Sequence, residues 1–244
     1  MTDNRIYEGQ SVDYRVNWNV NRESTLQKGR SINETKLCAT SSMEQLGRSL
    51  QKATRVDEMR RHFVVVSGLP GSGKSTFARR LASALNLPLI DKDEILDRLF
   101  DSKGVGDATW RRTLSRESDV ILQREAVSLD GAVLVSFWRL AGMAADSGTP
   151  TEWLGRISNT VVVNVQCNCE PATAAERFFH RKRHPGHLDS GASYGEVLAS
   201  LRKLSRLDPL GIEPRIHVDT SQDPNLDELV RDIRGAFARC LTCD

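Results

Sequence analysis

The chain has 244 residues, with 34 Lys and Arg against 32 Asp and Glu, a formal charge of +2 and 39% hydrophobic residues. That length holds one sizeable core plus an extension, and the near-neutral balance argues against a nucleic-acid partner, whose binding rests on many phosphate contacts. No apolar run approaches the ~20 residues of a membrane span, and the first residues carry Asp3, Glu8 and Asp13 rather than an apolar leader, so no membrane association and a cytoplasmic location are expected.

Residues 1–60 are polar, rich in Asn, Ser, Thr, Gln, Arg and Glu. Their scattered apolar residues are too few for a core. Tyr14, Val16, Trp18 and Val20 alternate with Arg15, Asn17 and Asn19, the pattern of a half-buried strand. Ser42 with Gln45 resembles a capping box, after which Met43, Leu46, Leu50 and Ala53 share a helical face. We read a weakly structured extension that lays a strand or helix on the main domain or offers a surface to a protein partner. Met59 is an alternative start.

Residues 61–244 read as the main domain. Phe63-Val64-Val65-Val66 is a continuous apolar, β-branched run, as expected of a central parallel strand. A Gly-rich loop follows, then a helix through Phe77, Leu81 and Leu85, and a short strand from Leu87 to Ile90. Asp91-Lys92-Asp93-Glu94 turns into a further helix, and residues 107–129 read as a long one. Strands are expected at Ala132–Val135, Val161–Val165 and Arg215–Val218. Helices are expected through Ala175 to Phe179, over Tyr194–Leu204, and at the C-terminus with Pro224 as first helical residue. Alternating strands and helices imply an α/β fold with a parallel sheet covered on both faces. The five cysteines, Cys38, Cys167, Cys169, Cys240 and Cys243, are read as reduced thiols. The two close pairs fall on distant elements, so a shared metal site is not expected.

Gly68-Leu69-Pro70-Gly71-Ser72-Gly73-Lys74-Ser75-Thr76 fits G-x-x-x-x-G-K-[ST], with an apolar strand before it and an amphipathic helix after it. Its glycines let the backbone curl around phosphate oxygens, and the loop N–H groups and helix N-terminus point positive ends at a polyanion. Lys74 adds a cation for the terminal phosphates, and the Ser75 hydroxyl suits Mg²⁺. ATP and Mg²⁺ are therefore the expected cofactors. A GTPase needs D-x-x-G after a strand and N-K-x-D. Asp101-Ser102-Lys103-Gly104 matches the first string but ends a helix, and the second is absent. A mechanical ATPase needs an acid after a later strand, where this chain has Ser136-Phe137 and Gln166-Cys167.

A small kinase needs a carboxylate near the acceptor hydroxyl and a basic lid over the phosphates. Asp93, with Asp91 as second choice, follows the second strand at the ligand-binding edge of the sheet and can take the hydroxyl proton; the alternative is that Asp93 caps the next helix. The stretch from Glu176 to His187 is the most basic in the chain. Arg177, Arg181 and Arg183 are candidates to neutralise charge on the moving phosphoryl group, against the alternative of a solvated basic helix face. His180 and His184 lack a third metal ligand.

With GLPGSGKST, DKDEIL, the R-x-x-x-R-x-R segment leading into RHPGH, and VDTS before the last helix, the chain resembles the predicted bacterial P-loop kinases. These are similar to the kinase domain of polynucleotide kinase, to zeta toxins and to chloramphenicol phosphotransferase. The resemblance covers roughly residues 60–240 and implies a nucleoside-kinase-like parallel sheet of order 2-3-1-4-5. It implies that Asp93 acts on the acceptor, that Arg177 or Arg181 contacts phosphates, and that Asp219, Thr220 and Ser221 lie beside the adenine. Polynucleotide kinases place an arginine where this chain has Leu96, which removes support for a polynucleotide acceptor. The expected acceptor is a small molecule, sugar-, nucleotide- or antibiotic-like, held between the helix after Asp93, the region of Phe137-Trp138-Arg139, and the lid. The alternatives are a zeta-toxin-like nucleotide-sugar kinase and a non-catalytic ATP-binding regulatory module.

Overall fold

The structure, a computed structural model, describes residues 60–239. The extension with its strand and capping-box signals, and Cys38, Cys240 and Cys243, lie outside the described residues. The central strand β1 (Arg61–Gly68) pairs in parallel with β3 (Gly131–Val135) on one side and β4 (Thr160–Asn168) on the other. The short β2 (Leu89–Asp91) adds to β3, and β5 (Arg215–Asp219) adds to β4. The sheet order is β2-β3-β1-β4-β5, as expected.

Phe63 to Val66 are all fully buried. Val64 and Val66 pack against α1 (Lys74–Leu85) and, through the same core, the C-terminal helix α6 (Leu226–Arg239). Phe63 and Val65 face a second core formed with α2 (Lys92–Lys103) and α3 (Ala108–Val127). Covering on both faces is why the strand reads as a continuous apolar run rather than an alternating one. A third, smaller core joins α4 (Pro171–His180) to α5 (Tyr194–Leu204) beside the loop residue Leu69.

Most element boundaries agree with the sequence, and the departures have local causes. β2 begins at Leu89 rather than Leu87 because Pro88 cannot donate to the ladder; its carbonyl accepts from Val133 N instead. Pro224 lies outside the last helix, where the Asn225 side chain accepts from Glu228 N and starts α6 at Leu226. Ser193 and Glu196 form a complete capping box at the head of α5. Among the described residues no helix is long and apolar enough to cross a membrane.

A buried polar knot anchors the start of α2. The Lys92 ammonium lies 2.5 Å from Asp119 on α3 and 3.0 Å from the Thr149 hydroxyl, and Thr149 also meets Asp119 at 2.7 Å and Ser136 at 2.5 Å. Burial pulls the Lys92 pKa down and Asp119 opposes that pull. The knot ties β2, β3 and α3 together directly behind the residues that follow β2.

Candidate active site

The loop between β1 and α1 curls through three positive-φ glycines, Gly68, Gly71 and Gly73, at 140°, 80° and 89°. At Gly71 a Cβ would sit 2.1 Å from the Ala174 carbonyl oxygen, so both the turn and the close pass of α4 require glycine. Gly73, the N-cap of α1, supplies no side-chain acceptor, and the first turn carries no acid. The N–H groups of that turn are thus left for an anion. Ser72 is fully buried and its hydroxyl has no partner, so the loop holds a spare hydrogen-bonding group as well.

Lys74 reaches back over the loop and donates to the Leu69 carbonyl at 2.7 Å. Burial pushes its pKa down to about 8; Asp93 and Asp91 oppose the shift and Arg181 adds to it. An anion arriving here restores the charged ammonium.

The two candidate acids divide their tasks. Asp91, 4% exposed, caps α2 by accepting from Asp93 N at 3.0 Å, and it also accepts from the Ser75 hydroxyl. Burial raises its pKa. The capping role considered for Asp93 thus belongs to Asp91. Asp93 faces the cavity, its side chain 52% exposed, 2.5 Å from Arg183 Nη2. Burial among the cavity walls pushes its carboxyl up, but Arg183, His187, Lys74 and Arg181 together hold it below the ordinary carboxylate range. Its carboxyl is therefore held in the ionised form.

The basic segment is no solvated helix face. α4 ends at His180, and Arg181 already has extended backbone. Arg181 stacks on the Phe178 ring at 4.2 Å and bonds to Asp189 at 3.3 Å. Arg183 bridges Asp189, at 3.0 Å, and Asp93. Arg177, still on α4, donates to the Thr220 carbonyl at 3.0 Å and lies beside Gly73. His184 is taken up by Asp101 and Phe100, and no group of three or more possible metal ligands occurs among the described residues.

One cavity of about 950 Å³ joins these parts, with Thr220 at one end, Lys74 and Ser75 in the middle, and Asp93 and Phe137 at the other. Trp138 stays out of it: it is 2% exposed and its indole N–H donates to the Val66 carbonyl, a core aromatic. Arg139 turns to the Ser147 carbonyl. Asp219 bonds to Ser221 N and Oγ and lines a separate cavity of about 500 Å³. Leu96 is 3% exposed in the core under α2, where an arginine could not reach the cavity without repacking.

Residues 63–193 match the protein family described as AAA domain. The chain belongs to the AAA-domain family. Within it, the P-loop and the acid after β2 occupy the matched region, as does the lid. The AAA-domain chain is 34% identical over 152 residues to a shikimate kinase of Paracidovorax citrulli, covering 59% of this chain and 73% of that one. It is 42% identical over 71 residues to a shikimate kinase of Corynebacterium glutamicum, covering 29% of this chain and 42% of that one. The chain spans about two fifths of the length of the corynebacterial relatives it matches. The fold is shared with a crystal structure described as a putative kinase from Chloroflexus aurantiacus, with a TM-score of 0.62 and 24% identity over 72% of this chain and 98% of that chain.

The sequence reading missed two parts of this AAA-domain site. Arg111, on α3, lines this cavity with its Nε buried and unpartnered; nothing in its neighbourhood in the sequence marks it. The buried His187 imidazole meets the half-exposed Asp97 carboxylate at 2.7 Å. Here a signal existed, since Asp93, Asp97 and Asp101 recur at four-residue spacing.

Proposed function

We propose that this AAA-domain chain is an ATP-dependent phosphotransferase that moves the γ-phosphoryl group of ATP to a hydroxyl of a small sugar-, nucleotide- or antibiotic-like acceptor. The observation that carries the reading is the ionised Asp93 facing the same cavity as Lys74, with lid arginines on its rim. A carboxylate opposite a phosphate loop has work to do when a hydroxyl must be oriented and its proton taken. A purely nucleotide-binding module would leave Asp93 and Arg183 without a task.

Each residue has a role in this scheme. The loop N–H groups and Lys74 hold the β- and γ-phosphates, Arg177 and Thr220 border the nucleoside, and Arg181 and Arg183 offset charge that develops during transfer. Asp93 accepts the acceptor proton as attack proceeds. Ser75, bonded to Asp91, fits a divalent cation through its hydroxyl. When bound there, Mg²⁺ supplies charge neutralisation on the phosphates. The relatives named shikimate kinase support a small hydroxylated acceptor.

The test is a screen of small hydroxyl compounds, shikimate, sugars, nucleosides and aminoglycosides among them, with γ-labelled ATP. Transfer of label to at least one compound is expected. Tight ATP binding with no acceptor-dependent transfer across the whole panel would favour the regulatory module.

ATP affinity should also fall with pH. Lys74 has a pKa of about 8 in the ligand-free protein, and bound phosphate raises it, so binding takes up a proton wherever the free amine prevails. Affinity is expected to be flat below that value and to drop roughly tenfold per pH unit above it. Calorimetry in buffers of different ionisation enthalpy reads the proton uptake directly; a flat affinity up to pH 9.5 would contradict it.

A further inference from the structure

Asp93, Asp97 and Asp101 form an acidic edge along α2. Three residues of the lid meet it in turn. Arg183 lies 2.5 Å from Asp93, His187 lies 2.7 Å from Asp97, and His184 lies 3.2 Å from Asp101. Phe100 sits between the two imidazoles, stacked on His184 at 5.2 Å and edge-on to His187 at 5.4 Å. A Cβ on Gly186 would stand 2.5 Å from the Phe100 ring, so the turn is pressed against α2 as closely as glycine allows.

Of the three contacts only the His187–Asp97 pair has a fully buried member: the His187 side chain is 1% exposed, against 17% for Arg183 and 22% for His184. Facing a carboxylate oxygen, its Nε2 carries the proton. Its Nδ1 is buried without a partner. The ring thus makes one side-chain hydrogen bond, to Asp97. Burial, with Arg183 adding to it, lowers the imidazole pKa, and Asp93 and Asp97 oppose that shift.

We propose that His187 and Asp97 are positioning residues, whose hydrogen bond, made by a buried imidazole to a half-exposed carboxylate, fixes the His184–His187 turn on α2 and thereby sets Arg183 against Asp93. The lid then belongs mechanically to the acceptor side of the cavity. The importance of this for transfer rests on the kinase reading above; the latch itself can be read without any acceptor.

The experiment uses the full chain and four variants: His187→Ala, His187→Gln, Asp97→Ala and Arg183→Ala. Glutamine can place an amide N–H near the position of Nε2. Endoproteinase Lys-C, which cuts after the exposed Lys182, reports lid opening. The titration midpoint of the Asp93 carboxyl by NMR reports the Arg183 contact. Loss of this hydrogen bond is expected to raise the cleavage rate about tenfold in His187→Ala and Asp97→Ala, and to move the Asp93 midpoint upward, as Arg183→Ala does. His187→Gln should restore both. In His187→Ala and Asp97→Ala, affinity for Mg·ADP should stay close to the wild-type value, because neither residue belongs to the phosphate loop. Wild-type cleavage and an unmoved Asp93 midpoint in both alanine variants would overturn the proposal. So would faster cleavage with an unmoved Asp93 midpoint, or failure of glutamine to rescue a folded His187→Gln protein. If transfer to every acceptor is absent while these shifts appear, the kinase reading falls and the latch stands.

Discussion

Asp93→Asn should slow phosphoryl transfer by roughly 10²–10⁴-fold, the usual weight of a general base, while nucleotide affinity stays close to wild type. Asparagine keeps the shape and a hydrogen-bonding oxygen but cannot take the acceptor proton. The phosphate loop does not depend on Asp93, whose main contact is with Arg183. Arg183 would keep Asp189 at 3.0 Å as a second anchor, so the lid should remain in place. Removing the negative charge leaves four positive or polarising neighbours, Arg183, His187, Lys74 and Arg181, less compensated, and polyanion binding should if anything tighten. Calorimetry for ATP affinity and single-turnover transfer to an acceptor found in the screen separate the two effects. Transfer at the wild-type rate would shift the role to Asp91, against its engagement by Asp93 N and Ser75.

Lys74→Ala should lose transfer on the order of a hundredfold or more, by analogy with removal of a single stabilising donor at a developing charge, together with much of the ATP affinity. Its stability should not follow. Burial holds the Lys74 pKa at about 8, so in the ligand-free protein its charge is disfavoured, and the ammonium makes a hydrogen bond only to its own loop, at Leu69. Alanine removes that burden, and the melting temperature should be equal or higher in the absence of nucleotide. The wild type should regain the advantage when ATP is added. A variant that binds ATP normally would sink the phosphate-loop assignment, and one that melts well below wild type would show that the lysine is structural.

What the sequence made legible was local. The G-x-x-x-x-G-K-[ST] string fixes its own conformation through its glycines, and a continuous apolar strand before it could only be central, so the loop and the cation at Lys74 followed, while the sheet order came with the family resemblance. The choice between Asp91 and Asp93 was not legible. Both are two residues apart at a strand–helix junction, and what separates them is Asp91's extended backbone, which turns its carboxyl onto Asp93 N. The sequence alone places Trp138 in the acceptor region because the Val66 carbonyl that binds it is 72 residues away. The His187–Asp97 pair spans 90 residues, and no periodicity within one segment encodes the partner in another. The acidic spacing on α2 announced an edge but not what would lie on it.

The strand β2 pairs with one neighbour over three residues, whereas β1 pairs with β4 over eight. The strand that leads into the phosphate loop therefore sits on the most deeply laddered part of the sheet, and helices α2 and α3 hang from its shallow margin. Sequence drift meets different resistance in the two halves. A change in β1 or the loop disturbs partners on both sides, while a change on the cavity side of α2 or α3 perturbs a margin held by the second apolar core and the Lys92–Asp119 knot. With the acceptor on the α2–α3 side, as proposed, its specificity can change there without disturbing the phosphate loop. A library for altered specificity should vary Arg111, Phe137 and their neighbours and leave Lys92, Asp119 and Thr149 untouched.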